Sequence, residues 1–172
     1  MEIRFTGALY NEIMADLQRP HPYAYERIGF VMGRMGTSGG QVRAILLTRY
    51  LPVPDEHYLD DPSVGARLGP EAMTAAMQAV YHGRASREGI FHIHLHLRRG
   101  EARMSATDRA EIPALIPGFQ AMGREAAHGF IILSPDHGTG WVWPPCSLEP
   151  VQAETLSVIG APILVFRKGV TR

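Results

Sequence analysis

The 172-residue chain has a single cysteine, Cys146, and no long apolar run. One cysteine cannot form an internal disulfide, which favours a reducing compartment. A membrane-spanning helix needs about 20 consecutive apolar residues, and no segment approaches that length. The first residues, MEIRFTGALYNEIMADLQR, mix acidic with apolar side chains and lack the core of a signal peptide. We therefore expect a cytoplasmic protein without a membrane partner.

The sequence also lacks an excess of charge of either sign. Seventeen basic and 17 acidic residues give a formal net charge of +0, whereas a dedicated nucleic-acid binder is normally basic. We therefore expect no nucleic-acid partner. No repeat or low-complexity tract divides the sequence, and its 172 residues, 45% of them hydrophobic, suit one domain with a packed core. We expect a single domain over residues 1–172.

Hydrophobic periodicity predicts alternating helices and strands. Helices are expected at 9–17, at 70–83 between Pro70 and Gly83, and after Ser105, where Pro113 should end or kink a short helix. The predicted strands cover residues 28–35, 42–51, 89–97, 129–134 and 141–143, with a closing hairpin at about 155–167 around Gly160-Ala161-Pro162. This order predicts an α/β (α+β) fold in which a mixed β-sheet is sandwiched between helices. The proline-rich stretch 51–70 is expected to be a long ordered loop, and loops of that length inside a compact domain are usually functional or mobile.

Three histidines alternate along one predicted strand. Residues 89–97 read GIFHIHLHL, so period-two alternation puts His92, His94 and His96 on one face. Three imidazoles on a half-buried face are costly to desolvate and repel one another when charged. A metal ion removes this problem because it accepts the lone pairs of neutral imidazoles. A polar face in contact with solvent is the alternative, but the apolar neighbours indicate an interior strand.

Two carboxylates are candidates to complete such a site. A catalytic zinc ion takes three protein ligands, and a carboxylate is a common third. Asp108 follows His96 by 12 residues and opens a predicted helix in the sequence Ser105-Ala106-Thr107-Asp108, which also fits a capping box. The two roles are compatible, because the first turn of a helix can present a ligand beside a strand end. Glu26, taken alone, is typical of a solvated residue between a helix and a strand.

Taken together, these motifs resemble the JAB/MPN (JAMM) metalloproteases. Glu-x-x-Gly followed by three apolar residues and Gly begins at Glu26, His-x-His is His94 to His96, and Ser-x-x-Asp begins at Ser105. The resemblance covers roughly residues 19–144 and implies the JAB/MPN-like (cytidine-deaminase-like) fold. It implies one Zn²⁺ per chain bound by His94, His96 and Asp108, with Glu26 as general base and Ser105 stabilising the oxyanion.

The same resemblance implies an activity and partners. The chain would be a zinc metallopeptidase that cleaves an isopeptide or peptide bond after the C-terminal tail of a ubiquitin or ubiquitin-like protein. A short chain of this kind is similar to the prokaryotic branch, which implies a bacterial ubiquitin-like pathway with activating and conjugating enzymes. The sequence departs from the family pattern in having Leu97 where proline usually follows, and eight residues rather than seven between His96 and Ser105. His92 is interpreted as a structural residue or a neighbour of the ligands.

Two other functions remain open from the sequence. Residues 92–98 match the His-φ-His-φ-His-φ-φ signature of histidine-triad nucleotide hydrolases and transferases, in which His94 would attack a phosphate. That motif usually lies near the chain end, whereas 76 residues follow His96 here, and the interpretation leaves Glu26 and Asp108 without a role. The third possibility is a catalytically inactive MPN-type protein-binding module.

Overall fold

The computed structural model describes residues 1–22, 24–100, 102–160 and 163–167. These residues form a mixed α/β fold with three α-helices: α1 (Gly7–Leu17), α2 (Pro70–Gly83) and α3 (Ala106–Met122). The strands are β1 (Glu2–Thr6), β2 (Ile28–Ser38), β3 (Gln41–Pro52), β4 (Glu88–Leu95), β5 (His128–Leu133), β6 (Gly138–Trp143), β7 (Val151–Gln152), β8 (Thr155–Ile159) and β9 (Leu164–Arg167). No helix in the described part of the chain has the length and apolarity to cross a bilayer.

All nine described strands belong to one sheet, in the order β7-β6-β5-β4-β2-β3-β1-β8-β9. The sheet is mixed: β2 is antiparallel to β3 and β4, whereas β4 is parallel to β5 and β1 is parallel to both β3 and β8. The sheet curls, so that β6 also contacts β8 and β9. Helix α3 is the crossover between the parallel strands β4 and β5, and it begins on the side where β4 ends.

Helices cover both faces of the sheet. On one face, α1 buries Leu9, Ile13 and Leu17 against side chains that include Phe91 and Ile93. On the other face, α2 and α3 contribute a second core, to which β4 and β5 add alternate side chains; its members include Val80, Ile90, Ile116, Phe119 and Phe130. The mixed α/β class predicted from the sequence is therefore confirmed.

The prediction for the helix after Ser105 was wrong in its length. Helix α3 runs for 17 residues and contains both Pro113 and Pro117. Each proline removes one backbone hydrogen bond and is unfavourable inside a helix. However, Ile112, Ile116 and Phe119 lie along one buried stripe of α3, and the tertiary burial of such a stripe outweighs local propensity.

Three further differences concern strands. Strand β1 was not predicted; it lies between β3 and β8 and supplies the buried residues Ile3 and Phe5. The histidine strand β4 ends at Leu95 rather than at residue 97, and Leu97 is exposed. The tail strands β8 and β9 pair antiparallel, while the predicted turn at Gly160-Ala161-Pro162 extends beyond the described residues.

Candidate metal centre

The candidate metal centre forms where the start of β2 meets the end of β4. Antiparallel pairing puts Ile28 opposite His94. If that register is continued by two residues, Glu26 comes opposite His96. Side chains at positions two apart share a face of a strand, so the side chains of His94, His96 and Glu26 project to the same side of the sheet. The ligand atoms of Glu26, His94 and His96 all lie within 4.8 Å of one another.

The two imidazoles face each other through their Nε2 atoms, which lie 3.1 Å apart. His94 is 2% exposed and is held inside the sheet, whereas His96 lies just past the end of β4 and is partly exposed. The backbone N–H of His96 still donates to the carbonyl of Leu133, at 2.8 Å. This bond extends the pairing of β4 with β5 by one residue and fixes His96 beside His94.

The N-terminus of α3 brings Asp108 to the same place. The Ser105 hydroxyl accepts the backbone N–H of Asp108 at 3.0 Å, and the Asp108 carboxylate accepts the backbone N–H of Ser105 at 2.7 Å. This reciprocal capping box satisfies two otherwise unpaired N–H groups. It also orients the carboxylate, whose Oδ1 is 3.6 Å from His94 Nε2 and whose Oδ2 is 3.9 Å from His96 Nε2.

These separations suit a tetrahedral metal ion. Zn–N and Zn–O bonds of about 2.0–2.2 Å place neighbouring ligand atoms roughly 3.3–3.6 Å apart. The His94 to His96 distance of 3.1 Å and the His94 to Asp108 Oδ1 distance of 3.6 Å lie close to this range, whereas Asp108 approaches His96 through its other oxygen, Oδ2, at 3.9 Å. Two imidazoles and one carboxylate are also a donor set that zinc accepts. Two imidazoles and a carboxylate therefore fit a zinc ion. The carboxylate can come from Glu26, whose ligand atoms cluster with those of His94 and His96, or from Asp108.

The loop that leads from His96 towards α3 is tied to the end of β5. The backbone N–H of Gly100 donates to Asp136 Oδ1 at 2.8 Å, and the Ser134 hydroxyl donates to the carbonyl of Gly100 at 2.8 Å. Sequence reasoning did not assign Ser134 and Asp136 to the site, because both contact the approaching loop through the backbone of Gly100. They anchor the segment between His96 and Ser105.

The loop that contains residues 62–68 forms the wall of the site opposite α3. The centre opens into a cavity of about 620 Å³ that lies between the 62–68 segment and α3. The hydroxyl of Tyr58 accepts the backbone N–H of Ile28 at 2.9 Å and lies 2.8 Å from the carbonyl of the same residue. The buried guanidinium of Arg27 donates to Asp55 at 2.7 Å. These contacts attach the long loop to the segment that carries Glu26, and the prediction of an ordered loop is confirmed.

Burial sets the charge state of the carboxylates. Burial raises the pKa of Glu26; the His96 ring opposes that shift and the Asp108 carboxylate adds to it. For Asp108, burial also acts to raise the pKa, but His94, the N–H and hydroxyl of Ser105, and His96 outweigh it and lower the pKa. The two acids are therefore driven apart, with Asp108 the stronger acid and Glu26 the better proton acceptor.

Burial also keeps two imidazoles neutral. It lowers the pKa of His92 to about 3 and that of His94 to about 4. The Nδ1 atoms of both rings are buried and have no hydrogen-bond partner within the described ranges. His92 lines the cavity beside His94, their ring centroids being 5.4 Å apart. His92 is thus a buried neighbour of the ligand set.

We predict that the chelator-treated protein loses stability as the pH falls from 6.5 towards 4. In the unfolded chain these histidines have an ordinary pKa of 6.5, so over this interval the unfolded state binds more protons than the folded state. Above pH 6.5 neither state binds these protons, so the free energy of unfolding has its full value. Below pH 6.5, each histidine lowers the free energy of unfolding by about 1.4 kcal/mol per pH unit. His92→Leu should therefore give a shallower slope in urea unfolding measured from pH 7 to pH 4.

The matched control for this prediction is His82→Leu. His82 is exposed near the end of α2, so its replacement removes no buried imidazole. We expect its slope to equal that of the unmodified chain. The same slope for His92→Leu and His82→Leu would contradict the assignment of His92 as a buried neutral imidazole.

The structure brings all five predicted site residues to one place. Glu26, His94, His96, Ser105 and Asp108 line the same cavity, and Ser105 is exposed at its rim. Sequence reasoning missed Gly65 and Glu111, which also line the cavity. Glu111 follows Asp108 by one helical turn, which was a usable signal. Gly65 had no signal beyond its place in the long loop.

Two comparisons with known proteins found no match for this chain. None of the protein-family models matches the chain, and none of the curated proteins does. The fold and the site by themselves define a mixed α/β protein with a possible metal-binding cluster of Glu26, His94 and His96 at the end of a central strand.

Proposed function

We propose that the chain is a zinc-dependent (iso)peptidase of the JAB/MPN (JAMM) type, which cleaves after the C-terminal tail of a ubiquitin-like protein. In this proposal His94, His96 and Asp108 bind one zinc ion. The observation that carries the proposal is the approach of four side chains from three separate elements: Asp108 reaches 3.6 Å from His94, and Glu26 lies within 4.8 Å of both histidines.

The residues of the chain then have distinct roles. A bound zinc ion supplies Lewis acidity towards water and towards the carbonyl of the scissile bond. Glu26, whose pKa is raised by burial, accepts a proton from the attacking water and passes it to the leaving amine. The Ser105 hydroxyl interacts with Asp108 in the structure, and in the proposed reaction its O–H turns to donate to the developing oxyanion. Loss of one such donor typically costs about 3 kcal/mol of transition-state stabilisation.

The shape and charge of the cavity support a peptide tail as the substrate. A cavity of about 620 Å³ between a loop and a helix suits an extended segment of a few small residues, which can bind with its backbone alongside the protein chain. Glu26, Asp108 and Glu111 line the cavity, and the one arginine among its described lining residues, Arg67, is paired with Asp61, so carboxylates predominate. That charge disfavours the phosphate of a histidine-triad substrate at His94, and so favours the peptidase over the nucleotide hydrolase. We propose a bacterial ubiquitin-like pathway as the setting.

The test is a combined metal and cleavage assay on the purified chain. We expect about one zinc ion per chain by elemental analysis, release of a reporter fused after the C-terminal tail of a ubiquitin-like protein, and loss of that activity on chelation. Hydrolysis of a nucleotide by the metal-free chain would instead support the histidine-triad alternative. A chain that holds zinc but cleaves no tail in a panel of ubiquitin-like fusions and conjugates would support the inactive MPN-type module.

A further inference from the structure

Gly65 lies in the loop opposite α3 and contacts Glu26 in two ways. Its backbone bonds that of Glu26, and its lack of a side chain leaves room for the Glu26 carboxylate. Its carbonyl accepts the backbone N–H of Tyr25 at 2.8 Å and that of Glu26 at 3.1 Å. These two bonds hold the loop directly over the segment before β2. Because Ile28 is the first residue of β2, Glu26 lies outside the ladder of the sheet. Its backbone is therefore fixed by Gly65 rather than by a neighbouring strand.

The Cα of Gly65 also limits where the carboxylate of Glu26 can lie. A Cβ at this position would come 2.9 Å from Glu26 Oε2 and 3.2 Å from Glu26 Cδ. Both distances are shorter than ordinary van der Waals contact between such atoms. Glycine is therefore the residue that lets the loop close over Glu26 while the carboxylate stays beside His94 and His96.

We propose that Gly65 is the positioning residue for the Glu26 carboxylate. This inference rests on the proposed function, in which Glu26 carries the proton. The three atoms nearest to a methyl group at residue 65 all belong to the flexible side chain of Glu26. The side chain of Glu26 would move to another conformation, and the backbone around it would stay in place. The substitution should consequently alter catalysis with little effect on stability.

The first test compares Gly65→Ala with Gly36→Ala. In β2, a Cβ at Gly36 would be 3.7 Å from the Ala44 Cβ, an ordinary contact, so this variant controls for the loss of a glycine. We expect Gly65→Ala to lower kcat by tenfold or more with KM, zinc content and Tm unchanged, because an ångström of misplacement at a reacting group has effects up to about 100-fold. Gly36→Ala should match the unmodified chain in all four quantities.

A compensating change tests whether the effect passes through Glu26. Glu26→Asp shortens the side chain by one methylene and should itself lower kcat. In the Gly65→Ala/Glu26→Asp double variant the shorter acid no longer meets the added methyl group, so the second substitution should reduce kcat by a much smaller factor than it does alone. Independent, multiplying losses would overturn the proposal. A Gly65→Ala kcat within twofold of the unmodified chain would also overturn it, as would loss of zinc along with kcat.

A spectroscopic measurement keeps this inference separate from the peptidase assignment. The ¹³C resonance of the Glu26 carboxyl, assigned by its disappearance in Glu26→Gln, reports on its surroundings without any substrate. We expect this resonance to shift in Gly65→Ala and to stay in place in Gly36→Ala, whether or not a tail is cleaved. An unshifted resonance in Gly65→Ala would show that Gly65 does not position Glu26. An inert chain with a shifted resonance would retain the contact and reject only the peptidase.

Discussion

Glu26→Gln is expected to keep about one zinc ion per chain and to lose nearly all cleavage of a ubiquitin-like tail. Glutamine has the size of glutamate but cannot accept a proton at neutral pH, and general acid–base catalysis contributes roughly 10²- to 10⁴-fold. We therefore expect kcat to fall by that range while the variant still binds the tail. Zinc is measured by elemental analysis, and turnover by release of a reporter from the fusion protein.

The outcome also separates the two possible roles of Glu26 near the ion. The ligand atoms of Glu26, His94 and His96 are close enough for all three to bind a metal, and in that case Glu26→Gln would lower zinc occupancy as well as kcat. The control is Glu111→Gln, which removes another carboxylate from the cavity without touching the proposed base. We expect its kcat to stay within a few-fold of the unmodified chain. Unchanged turnover in Glu26→Gln would exclude Glu26 as the base.

Helices and strands were predicted correctly where one hydrophobic period dominated the sequence. The prediction failed where contacts between distant parts of the chain determined the structure. Helix α2 was placed at its observed bounds because Pro70 and Gly83 mark its ends. The extent of α3 was not predictable from local rules, because its prolines argue against the helix and only the burial of its stripe argues for it. Strand β1 was missed for a similar reason: its pairing with β3 and β8 connects residues that are far apart in sequence.

The residues of the site also fall into those that a local pattern predicts and those that only tertiary contacts bring together. Side chains fixed by a local period were predictable, since His94 and His96 share a strand face and Asp108 has the spacing of a capping residue. Their approach to Glu26 depends on the β2–β4 register, which the sequence suggested only through its resemblance to a family. The wall of the cavity could not be predicted, because Gly65 and Tyr58 act through hydrogen bonds with the backbone of residues 25, 26 and 28. Neither the composition nor the hydrophobic periodicity of a sequence predicts such contacts.

His94→Ala should remove the metal itself, whereas His92→Leu should not. His94 contributes the most buried of the proposed ligand atoms, with Nε2 3.1 Å from that of His96 and 3.6 Å from Asp108. Loss of a neighbour that only orients a ligand weakens metal binding by about 10- to 100-fold, so loss of a ligand should weaken it by more than about 100-fold. Competition with a fluorescent chelator measures both affinities. Full zinc occupancy in His94→Ala would contradict the ligand assignment, and an equal loss in His92→Leu would place His92 in the ligand set.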